Sequence, residues 1–138
     1  VSDGCEQNWY STSEIGYFTD IVREGISITV GQIELFAPAV EQPYRLDDAT
    51  VDHAARVYEN QREQQVLLRN QADRWAGEVV CAEERAALAT YVAALDELDR
   101  LTDDVLRMCS TLSGQTIEKL LATSDLEVGL EALGITLD

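Results

Sequence analysis

Lysine is almost missing from this chain: nine of its ten basic residues are arginine, and Lys119 stands alone. Against them stand twenty-six Asp and Glu, a formal charge of -16 over 138 residues. That balance excludes nucleic acid or an anionic membrane surface as the main partner, because either approach is repulsive. Histidine is as scarce. With His53 the only one, two-histidine metal motifs and paired Glu-x-x-His sites are ruled out. His53 itself, beside Asp52, reads as a solvent-facing or capping residue. The three cysteines, Cys5, Cys81 and Cys109, are too few for a disulfide scaffold, and their odd number leaves at least one unpaired. No apolar run approaches the roughly 18 residues of a membrane span; Gln32, Glu34 and Pro38 interrupt the nearest. The P-loop, the dinucleotide fingerprint and the Gly-x-Ser-x-Gly elbow are all absent. The expectation is a protein without catalytic, cofactor-binding or metal-binding residues, and without membrane insertion.

What is present is enough for a packed core. Hydrophobic residues make up 46% of the chain, which separates it from a disordered acidic tail. The length fits one domain over residues 1–138. Arginine in place of lysine, set among many carboxylates, resembles the composition of salt-in halophilic proteins; an acidic mesophilic protein is the alternative. The charge is uneven: residues 1–52 and 92–138 carry -8 and -7, and residues 53–91 only -1. That near-neutral middle is where a packed or partner-facing surface is expected.

Apolar periodicity predicts an all-α, antiparallel bundle of three main helices with a short C-terminal helical segment. The first helix opens at a Ser11–Glu14 capping box. Ile15, Phe18, Val22, Ile26, Thr29, Ile33 and Phe36 recur at helical spacing, and Tyr17, Ile21, Ile28 and Leu35 widen the stripe. So wide a face implies burial on more than one side. A small β-hairpin at 26–36 about Gly31-Gln32 is the alternative. Pro38 and Pro43 mark a linker that ends at Asp47-Asp48, predicted N-caps. The second helix sets Val51, Ala54, Tyr58, Gln61, Gln65, Leu68, Ala72, Trp75 and Val79 on a heptad seam. After a break around Val80–Ala82, the third repeats the pattern through Leu88, Tyr91, Leu95, Leu98, Thr102, Val105 and Cys109. The C-terminal segment comprises a short helix over 117–122 and a last one that a Ser124–Glu127 capping box opens.

Gln61 and Gln65 put two amides at successive seam positions. A buried, unpaired amide costs about 1–3 kcal/mol, so both must find partners. Tyr58 is one candidate; Thr102 is expected nearer the start of helix two. The arrangement reads either as a polar layer fixing register or as a ligand or partner site. Asp96, Glu97, Asp99, Asp103 and Asp104, with Arg100 among them, read as a solvated face rather than a cation site. Cys81 and Cys109 lie too far apart along helix three to bond, whereas an up-down-up bundle brings Cys5 near Cys81, so a Cys5–Cys81 disulfide is possible. In a reducing cytoplasm, the compartment preferred here over secretion, all three are thiols.

Trp75-Ala76-Gly77 at the foot of a helical hairpin resembles the Trp-X-Gly turn of the small acidic type VII secretion substrates. That family's Tyr-x-x-x-Asp/Glu signal follows its hairpin, whereas Tyr10…Glu14 and Tyr44…Asp48 precede this one. The resemblance implies a secreted helical-hairpin protein. The residues themselves favour a non-enzymatic assembly or interaction protein, self-associating or part of a larger complex, with Tyr58, Gln61, Arg62, Gln65 and Arg69 as interface or ligand candidates. An extracytoplasmic small-molecule-binding or sensor domain is the alternative.

Overall fold

The computed structural model describes residues 9–42, 46–113, 115 and 121–122. Three long helices account for nearly all of them: α1 (Ile15–Glu41), α2 (Asp48–Ala76) and α3 (Ala82–Leu112). At 27, 29 and 31 residues, they run about 40–46 Å. Among the described residues no strand forms, so the all-α bundle is the fold. The predicted C-terminal helical segment and Cys5 of the proposed disulfide lie outside the described residues.

Up-down-up topology follows from which residues share a core. One cluster joins Ile15 and Val22 of α1 to Trp75 of α2 and to Tyr91 and Leu95 of α3. The other joins Phe36 and Ala39 to Val51 and Tyr58 and to Val105 and Leu112. The N-terminal half of α1 thus meets the C-terminal half of α2, and α1 and α3 run parallel. Helix α3 lies against both others, whereas the backbones of α1 and α2 hardly approach one another.

Helix α1 is continuous through residues 26–36, so the hairpin does not form. Thr29, Phe36 and Ala39 are buried along one face, and only a helix can bring that spacing to one side. Two local expectations are overturned. Ser11 makes no capping bond; its hydroxyl meets that of Ser13 at 2.6 Å, and its carbonyl takes the Glu14 N–H at 3.0 Å. A 3-10 turn over Thr12–Glu14 has claimed the amide that a capping box would use. Nor does a linker begin at Pro38, which lies inside α1. So near the end, proline forfeits a single ladder bond. Buried Phe36 and Ala39 anchor the turn, and Gln42 N–H closes it on the Pro38 carbonyl at 3.2 Å.

Asp47 does cap α2, accepting the Thr50 N–H at 2.7 Å. That bond holds its carboxyl below the ordinary aspartate range. Helix α2 ends at Ala76, four residues before the expected break, and the chain turns through Gly77–Cys81. Gly77 has φ -84°, an ordinary helical value, so no left-handed stop is involved. The turn is held by Glu84. Its carboxylate accepts the Thr12 hydroxyl at 2.6 Å and the Val80 N–H at 3.0 Å, fastening the lead-in of α1 to the α2–α3 connection. These bonds, Thr12 first, depress the Glu84 pKa.

A depressed carboxyl contributes stability that is present above its unfolded pKa and is lost as pH falls through the folded value. Glu84→Gln is therefore expected to melt below the parent at neutral pH, by a margin that solvent screening keeps small. The gap should close as pH drops below the ordinary glutamate range. Thermal melts of both proteins across that range provide the check, and a gap independent of pH would refute the assignment.

Candidate functional site

The two apolar cores are separated by a polar layer at mid-bundle. Thr29 comes from α1, Tyr58, Gln61 and Gln65 from α2, and Thr102 from α3. The Thr102 hydroxyl donates to the Leu98 carbonyl at 2.8 Å and accepts the amides of Gln61 at 2.8 Å and Gln65 at 2.7 Å. One donor and two lone pairs are then fully used. Thr29 behaves alike: it donates to the Gly25 carbonyl at 2.7 Å and accepts the Gln61 amide at 3.3 Å. The Tyr58 phenol also sits against Thr29. Burial pushes that phenol's pKa up, and the Thr29 hydroxyl offsets part of the rise. Among the described residues no fully buried side-chain nitrogen or oxygen lacks a partner.

Thr102 thus lies level with Gln61 and Gln65 rather than nearer the start of α2. The register is set by Tyr91, whose hydroxyl donates to the Leu68 carbonyl at 3.0 Å, and by Arg69. Arg69 bridges to Asp96 at 2.8 Å and Asp99 at 2.5 Å, and Arg62 pairs with Asp103. The acidic run on α3 is therefore not simply a solvated face. Part of it neutralises arginines from the near-neutral helix, and Arg100 and Arg107 pair with Glu97 and Asp104 on α3 itself. Exposed pairs of this kind contribute little each; Arg69, the least exposed and doubly paired, holds the most.

Of the five interface or ligand candidates, the structure buries Tyr58 and Gln65 and leaves Gln61 half-buried. Arg62, Gln65 and Arg69 line an open groove of about 340 Å³ between α2 and α3, with Asp99 and Asp103 opposite. His53 is exposed at the start of α2. Cys81 is exposed at the N-cap of α3, and Cys109 is a buried thiol whose pKa burial raises. Among the described residues no group of three or more His, Cys, Asp or Glu is placed to hold a metal, and no helix is long and apolar enough to cross a membrane.

Gln71 escaped the heptad reading. It is buried one turn before Trp75, where its carbonyl takes the Tyr10 N–H at 2.9 Å and its amide reaches the Tyr10 carbonyl at 3.4 Å. The Trp75 indole N–H donates to that same carbonyl at 2.8 Å. Trp9 lies over the Arg74 guanidinium at 5.1 Å. Trp75 and Gln71 together clasp the lead-in, and a backbone target leaves no signature in sequence.

A second feature lies on the outside of α1. Tyr17, Ile21, Ile28 and Leu35 are exposed, from 41% at Ile21 to 70% at Leu35. With Glu24 and Gly31 they complete a heptad series directed away from the core-facing one. The residues that widened the stripe in sequence are thus the ones the bundle leaves uncovered. The series spans about 27 Å of helix. Gly31 meets no neighbouring atom within 4 Å of the Cβ it lacks, so this part of the face opens directly to solvent. Asp20, Ser27, Glu34 and Glu41 form the adjoining row, also exposed.

Comparison with protein-family models, curated proteins and solved structures finds no match for this chain.

Proposed function

We propose that this protein is a non-enzymatic helical interaction module, a component of a larger assembly that docks through the outer face of α1. The observation that carries this reading is the second apolar heptad series. Four large hydrophobic side chains in register on one solvent-facing surface are what a helical partner covers, whereas scattered exposed residues need no such account. The interface thus moves from the face of α2 to that of α1. Gln61 and Gln65 donate to the threonines, Tyr58 sits against Thr29, and Arg62 and Arg69 are engaged by α3. Their work in this reading is to fix the bundle that presents α1.

A photo-crosslinking amino acid at Leu35, in cells making the protein at native level, tests the face. Position 35 is expected to give a discrete adduct, with this chain or another, and the exposed position Glu63 on α2 none. Adducts at neither site, or at 63 alone, would reject the reading. A small-molecule-binding role has one observation in its favour: the α2–α3 groove sets two guanidinium groups and two carboxylates around the buried Gln65 amide.

A further inference from the structure

We propose that the occupant of the outer face of α1 is a basic amphipathic helix from another protein, rather than a second copy of this chain. The inference rests on the reading of α1 as a docking face and goes on to name the partner's chemistry. Charge decides between the two occupants. On α1 the acids Asp20, Glu24, Glu34 and Glu41 are opposed by Arg23 alone. Glu24 lies within the apolar series, and the row holding Asp20, Glu34 and Glu41 borders it.

A second copy would bring the same acids and another -16 of charge to the contact. In an antiparallel pair the acidic row would face itself, and like charges along a helix seam select against pairing. A partner helix flanked by lysine or arginine turns the same row into attraction, which speeds encounter as well as fixing orientation. The apolar series and its acidic flank together call for a leucine-rich, lysine-flanked helix.

The test uses the full chain and a fluorescein-labelled synthetic helix of three heptads, leucine at the a and d positions and lysine at e and g. Anisotropy should show saturable micromolar binding that weakens as salt rises. Ile28→Asp is expected to weaken it at least tenfold, and Glu34→Lys several-fold. Glu63→Lys, an equal charge change on α2, should leave affinity unchanged. A peptide with glutamate at e and g should not bind.

Binding that ignores Ile28→Asp would mark attraction to bulk charge and overturn the inference. So would a dimer, seen by light scattering at physiological salt and dispersed by Ile28→Asp; that result would leave α1 as the docking face and replace only its occupant. A monomer that binds no helix and gives no adduct at position 35 would reject both readings.

Discussion

Replacing Trp75 with alanine is expected to lower the unfolding free energy by about 3–5 kcal/mol. The side chain is completely buried, and its ring is met edge-on by Tyr91 at 5.3 Å and by Phe18 at 5.6 Å. It therefore joins all three helices. Truncation leaves a void between rigid aromatic rings, which cannot collapse as flexible aliphatic side chains can. It also removes the indole N–H from the Tyr10 carbonyl, so the lead-in loses part of its clasp. Against a usual total of about 5–15 kcal/mol, this is the largest expected effect of a single substitution. Trp75→Phe keeps a ring and forfeits the hydrogen bond, for an expected loss of about 1–3 kcal/mol. Urea denaturation followed by circular dichroism gives both values. A loss below about 1 kcal/mol for the alanine variant would contradict the packing described.

Thr102→Val is expected to cost about 1–3 kcal/mol although the two side chains have nearly the same shape. Valine cannot accept the amides of Gln61 and Gln65, and Gln65 is only 5% exposed, too little for water to replace the lost partner. The sharper prediction is the rescue. Adding Gln61→Leu and Gln65→Leu removes the donors that Thr102 accepted, Gln65 having no other acceptor among the described residues, and the triple variant is expected to recover most of the loss or to exceed the parent. Non-additivity of this sign is the mark of groups that act as one layer. The triple variant should also exchange its mid-bundle amides faster, because the layer no longer helps to hold the helices in register. Simple addition of the three changes would show that the residues do not work together.

Much of this bundle is legible in the residues. Every α3 seam position, from Leu88 to Cys109, is buried as its spacing predicts, because α3 is packed on two sides. On α1 the stripe was visible, but periodicity states which residues share a face and not which face finds a neighbour. Tyr17, Ile21, Ile28 and Leu35 look as buriable as Ile15 and Val22 until the positions of α2 and α3 are known. The glutamines announced a polar layer by their type. Their partners were hidden, because the register between α2 and α3 depends on where the turn falls, and Gly77–Cys81 turns earlier than expected. Arg69 with Asp96 and Asp99 was hidden for the same reason. Gln71 was hidden because its partner is main chain.

The central place of α3 imposes an order on assembly. Helices α2 and α3 are joined by a five-residue turn, 77–81, and can pair as soon as both exist. Helix α1 packs mainly on α3, the last of the three to be made. At about 5–20 residues per second, roughly 4–14 s separate synthesis of Glu41 from that of Leu112. Throughout that interval α1 carries two opposite apolar faces and has a home for neither. The nascent chain is then at its most adhesive, and for those seconds its many carboxylates are what keep one nascent chain away from the next.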